Sequence, residues 1–264
     1  MLFFRPYFFL LFLLMAMRAH CEEDFIDLHS FVKERTQQYP LKTCKKIYLN
    51  TPPRTGSTLV YNVLRFLFEN DDHKPWDGNF WNLIVKSHGD PFLRSDVIYI
   101  TTIRDPVEAC LSHYRVYCSK QGKILPIETL DQIVQGQQQS FKHLEKLVSN
   151  KMRVIILEYE EIVDNLGFLL AILENKFNIT IDPRDKDFLQ RALCKENVIR
   201  NAEKLHTFSL IDEFSLVHGS HIDRGELSKD LQELIRMEIL QRLSEQPSLF
   251  QKWGYLRGLP NACK

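Results

Sequence analysis

The chain has no excess of charge: 34 Lys and Arg stand against 34 Asp and Glu. No stretch gathers a run of about five or six like charges, so the electrostatic footprint of a nucleic-acid binder is absent. Any anion it binds must be small and held locally. The six cysteines contain no C-x-x-C pair, which excludes the usual zinc and thioredoxin spacings. Beyond the first 21 residues no run is long and apolar enough to span a bilayer, and the chain has no internal repeat, low-complexity tract or linker. What is present, 264 residues with 44% hydrophobic and 26% charged content, is enough for one full-sized globular domain over residues 22–264.

The segment MLFFRPYFFLLFLLMAMRAHC carries Arg5, an apolar run from Tyr7 to Met17 and small residues before Glu22-Glu23-Asp24. That is the profile of a signal peptide, or of a short N-terminal anchor. It predicts entry into a secretory pathway or export, with membrane contact only through this segment, and a cytoplasmic protein if the leader does not direct export. Cys110 and Cys118 are expected on one helix, about 12 Å of rise apart, too far to bridge each other. Asn178-Ile179-Thr180 is a glycosylation sequon that has meaning only in a eukaryotic secretory lumen.

Hydrophobic patterning predicts an α/β fold. Lys45 to Asn50, Trp81 to Val85, Val97 to Ile103 and Val154 to Leu157 are short β-rich runs separated by loops or helices. That is the signature of parallel strands buried on both faces. Helices are expected at Phe25 to Gln38, Thr58 to Phe68, Leu130 to Val148, Ile162 to Phe177, Asp187 to Lys204 and Leu227 to Leu243.

The first strand runs into NTPPRTGSTLV, a strand-to-helix turn of phosphate-cradling rhythm without the Gly-Lys-Ser/Thr of a nucleoside-triphosphate loop. Such a turn aims backbone N–H groups and the positive end of a helix dipole at one point. Gly56 permits close approach, Ser57 and Thr58 add hydroxyls, and Arg54 adds a cation that can take two oxygens. The third strand ends in IRDPVEACLSHYR. There Asp105 is the expected N-cap, Pro106 the first helical residue and Glu108 the partner in a capping box. Arg104 precedes the helix, and its side chain folded back could share an anion with Ser112. The second strand ends in IVKSHGD, bringing Lys86, His88 and Asp90 to the same edge; His88 is a natural proton acceptor at neutral pH. His218 and His221 lack a third ligand at any recognisable metal spacing.

Taken together, PRTGST (Pro53 to Thr58), Lys86-Ser87-His88, Arg104-Asp105-Pro106 with Ser112, and Tyr159-Glu160-Glu161 resemble the ordered motifs of the sulfotransferases that use 3′-phosphoadenosine 5′-phosphosulfate (PAPS). The resemblance spans residues 45 to about 255. It implies a three-layer fold with a central, mostly parallel sheet, of P-loop-like sulfotransferase architecture. It also implies that Arg54, Thr55, Gly56, Ser57 and Thr58 hold the 5′-phosphosulfate, that Arg104 and Ser112 hold the 3′-phosphate, and that Tyr159 lies near the adenine. HGSHIDRGEL resembles the family's last cofactor loop more loosely, adding His221, Arg224 and Gly225; the Arg-Lys-Gly triplet of cytosolic members is not there. Arg54 replaces their usual Lys, as in many carbohydrate-modifying members.

By the resemblance the activity is sulfuryl transfer from PAPS to a hydroxyl or amine of a small-molecule or carbohydrate acceptor, with no metal. Arg54 would stabilise the leaving charge, His88 would take the acceptor proton, and Lys86 would assist. A P-loop kinase is the alternative enzyme class, though the chain lacks its phosphate-reaching Lys and a Walker B acidic strand end. An inactive nucleotide-binding homologue is the non-enzymatic alternative. The loops expected to shape the acceptor site are Asp71 to Asn79, Tyr117 to Pro126 and Thr207 to Val217, with Trp76, Phe80, Trp81 and Tyr117 as candidate lining.

Overall fold

Four strands, β1 (Lys46–Asn50), β2 (Ile84–Ser87), β3 (Val97–Ile103) and β4 (Arg153–Glu158), form one sheet in the order β2-β1-β3-β4 with every neighbouring pair parallel. The fold is α/β. The computed structural model describes residues 26–28, 31–69, 83–204 and 227–256, the side chains of 202–204 excepted. The leader, Trp76, Phe80, Trp81 and the segment carrying His218, His221, Arg224 and Gly225 lie outside the described residues.

Alternation along the strands divides two helical layers. Ile47, Leu49, Ile98, Ile100, Ile155 and Leu157 face one side. They pack there with α1 (Ser57–Phe68) and with apolar residues of α5 (Leu166–Phe177). Tyr48, Val97 and Tyr99 face the other side, against Leu147 of α3 (Thr129–Ser149). Outside that face α2 (Pro106–Gln121), α3, α8 (Lys229–Leu243) and α9 (Pro247–Gln251) share a second core around Phe141, Ile239 and Phe250. Each fully buried Leu, Ile or Phe contributes about 1.5–3 kcal/mol of burial, so both faces of the central strands are anchored. Cys110 and Cys118 share α2 and are both free thiols. Among the described residues no helix is long and apolar enough to cross a membrane.

Several elements depart from expectation. All seven residues of β3 are buried, but β4 is an edge strand with Ile156 38% exposed, so it is buried on one face only. The second strand sits later than expected, at Ile84–Ser87. The helix expected over 162–177 is two, α4 (Tyr159–Val163) and α5, because Asn165 caps a new start by accepting from Phe168 N–H. The one expected over 187–204 is also two, α6 (Pro183–Ala192) and α7 (Lys195–Lys204), the first opened by Asp182 and Pro183. In the entry segment only Phe31–Glu34 forms a 3-10 turn.

Candidate active site

The strand order places the site. The chain goes from β1 outward to β2, then returns to the other side of β1 for β3 and β4. The reversal lies between β1 and β3, where loops leaving neighbouring carboxyl ends diverge and open a crevice. The loop after β1 and the start of α2 after β3 meet there.

The first loop is shaped by its own backbone. Arg54 has φ 66° and Gly56 φ 82°. The left-handed region disfavours a side chain by about 1–2 kcal/mol, so tertiary contacts must hold Arg54 in it. At Gly56 an added Cβ would lie 3.1 Å from Cδ2 of Tyr159; glycine is needed for both φ and space. Gly56 caps α1 without a side-chain bond, which leaves the first-turn amides without an intrahelical acceptor.

Three successive carbonyls of this loop are held by side-chain donors. Thr51 O accepts from His88 Nδ1 at 2.6 Å, Pro52 O from the Thr55 hydroxyl at 2.7 Å, and Pro53 O from Gln137 Nε2 at 2.7 Å. The Thr55 hydroxyl also meets Thr102 Oγ1 at 2.6 Å and is fully buried, so that side chain is committed to the scaffold and only its backbone faces a ligand.

Because a carbonyl can only accept, His88 carries its proton on Nδ1 and presents Nε2 as the acceptor. Surrounding protein lowers its pKa to about 4, opposed by the Thr51 bond and reinforced by the Lys86 charge. The residue still reaches solvent, which limits what desolvation does to the charge, and the imidazole is neutral at neutral pH in either case. Lys86 is buried and donates to Thr58 Oγ1 at 2.8 Å; burial, then the Arg54 charge, lowers its pKa to about 7.

Ser112, also buried, accepts from Arg54 Nε at 3.4 Å. The structure therefore brings Ser112 to Arg54. Arg104 lies instead with its guanidinium 4.1 Å over the Tyr159 ring and Nε 3.8 Å from Glu160. Its Nε and Nη1 are buried with no hydrogen-bond partner. Asp105 caps α2 as expected, accepting from Val107 and Glu108 N–H, with Pro106 first in the helix. Glu108 does not close the capping box; its carboxylate takes Arg236 Nε from α8 at 3.0 Å.

Two residues join the site that sequence did not single out. His113 packs against Tyr117 with centroids 4.6 Å apart and the rings tilted by 57°. Burial and the charges of Arg54 and His88 lower its pKa to about 4, and its Nδ1 is buried without a partner. Its position directly after Ser112 was the available signal. Gln137, inside Gln-rich α3, had none, since periodicity does not say which Gln meets a loop. Among the described residues no three His, Cys, Asp or Glu are grouped to hold a metal.

No family model matches the chain, and no curated protein matches it by sequence. Among solved structures, the mouse sulfotransferase SULT7A1 complexed with PAP is similar with a TM-score of 0.48 at 12% identity, over 86% of this chain and 93% of that one. A likeness at that level says nothing of this chain's chemistry.

Proposed function

We propose that the protein is a PAPS-dependent sulfotransferase, acting on a hydroxyl or amine of a small-molecule or carbohydrate acceptor. The observation that carries the reading is the buried Arg104 guanidinium, with Nε and Nη1 lacking hydrogen-bond partners and only Glu160 at 3.8 Å from Nε, one loop away from an anion-cradling turn that starts the helix at Ser57 and Thr58 and carries Arg54, with Lys86 bonded to Thr58. Two separated cationic seats on one crevice fit a donor with phosphate groups at both ends of its ribose. A guanidinium stacked on an aromatic ring is also a surface beside which a purine fits.

In this reading the acceptor oxygen forms a bond to sulfur as the bond from sulfur to the phosphate oxygen breaks. His88 Nε2 takes the acceptor proton. Arg54 and Lys86 offset charge on the departing 5′-phosphate, as electrostatic stabilisation does in phosphoryl transfer. The neutral imidazole, fixed in tautomer by Thr51, supports that role.

The test is calorimetric titration of the chain lacking residues 1–21 with 3′-phosphoadenosine 5′-phosphate (PAP), with 5′-AMP and ATP as controls. Binding should depend on the 3′-phosphate and weaken about tenfold or more in Arg104→Ala, the loss of a charge-assisted bond. Preference for ATP, or no binding of PAP, rejects the reading.

A further inference from the structure

The carbonyl of Pro53 is held from the opposite helical layer, by a side chain with no role in the reading above. Gln137 is completely buried on α3, and its Nε2 reaches Pro53 O at 2.7 Å. A carbonyl accepts only, so the amide orientation is fixed with nitrogen toward the loop. Its Oε1 is buried and has no partner. A buried acceptor left without a donor is a net loss to folding, and an apolar side chain of the same length would fill this place in the core as well. What the amide contributes is the contact with Pro53.

That contact sets the direction of a peptide plane. The carbonyl and the following N–H of a trans peptide point opposite ways, so holding Pro53 O against α3 turns the Arg54 N–H away from that helix. The same plane precedes the left-handed Arg54, whose φ of 66° needs an external hold. His88 and Thr55 hold the two preceding carbonyls, which leaves Gln137 as the member of the set that ties the loop to α3.

We propose that Gln137 is a positioning residue of the anion loop, holding the Pro53–Arg54 peptide in the orientation that receives the 5′-phosphosulfate. The ligand part of this statement rests on the sulfotransferase reading.

Gln137→Met keeps the volume and removes the donor. It should melt close to or above the parent, bind PAP about tenfold more weakly, and exchange the amides of residues 54–58 faster in the ligand-free chain. Gln137→Glu adds a pH-reversible readout. Burial raises a carboxyl in such a place toward about 8–9, so ionised, at about pH 10, it presents only acceptors to Pro53, and protonated, at about pH 6, it regains a donor. Its PAP affinity relative to the parent should therefore be low at the higher pH and recover at the lower one, which a purely structural role would not produce. PAP affinity within about twofold of the parent in Gln137→Met, with unchanged exchange at residues 54–58, overturns the proposal. So does a Gln137→Glu ratio that does not move with pH. If the parent itself fails to bind PAP, the sulfotransferase reading falls, while the exchange rates still decide whether Gln137 positions the loop.

Discussion

The entry segment and the crevice between β1 and β3 both bury polar groups, and they treat them in opposite ways. Among the described residues, the buried side chains that bind the entry segment are matched. The Asp185 carboxylate takes Thr36 N–H at 2.7 Å, the Thr36 hydroxyl at 3.0 Å and the Tyr39 hydroxyl at 2.5 Å. Asn197 bonds both backbone groups of Ile26, and Asn201 holds Leu28 N–H and Ile26 O. These polar groups fix the chain against α6 and α7. In the crevice Arg104, His113 and Gln137 each keep a buried nitrogen or oxygen without a partner. Removing a polar atom from water without replacing its bond costs about 1–3 kcal/mol, so these atoms weaken the fold where they lie, and in the proposed reading a bound donor would offset the cost at Arg104.

Removing the proposed base should sharpen that contrast most. His88→Ala is expected to slow sulfuryl transfer by about 100- to 10,000-fold, far more than the loss of PAP affinity, about tenfold at most, that follows from releasing Thr51 O, measured with labelled donor and the acceptor that a hydroxyl-compound screen supplies. Unchanged transfer would remove His88 from the chemistry. On the matched side, Asp185→Ala leaves the Thr36 and Tyr39 donors unpaired and should lower unfolding free energy by about 3 kcal/mol in denaturant titration, with PAP affinity unaltered. An equal loss of PAP affinity would show that the two regions are coupled.

The smallest effect is protonic. Lys86 has its pKa lowered from 10.5 to about 7. Between those values the unfolded chain binds a proton that the folded chain has released, so this group's contribution to stability rises with pH across that window. An anion in the loop reverses the balance by favouring the charged amine. PAP binding at about pH 8 should therefore take up a fraction of a proton approaching one, read as a dependence of the binding heat on buffer ionisation enthalpy. No uptake would place the anion away from Lys86.

Much of this was legible in the chain itself. Continuous Ile- and Val-rich runs with helices between them specify buried parallel strands, and β1 and β3 lie where the pattern puts them. Asp105-Pro106 announces a helix start, and the structure has one. Boundaries were less visible where capping competes with periodicity: the apolar pattern runs through Asn165, whose side chain caps the start of a new helix. The edge position of β4 was hidden too, since an Ile that faces solvent looks the same in sequence as one that faces a helix.

Of the site, sequence determined the residue types and the strand ends that carry them, because a Gly-centred turn or a capped helix start is set by bonds among near neighbours. Which loops share the crevice was decided by the β2-β1-β3-β4 order. Only the tertiary structure brought Arg54 to Ser112, gave Arg104 to Tyr159 and put Gln137 on Pro53. Those partners are 58, 55 and 84 residues apart, and no local preference spans such a distance; the packing of two helical layers on one sheet does.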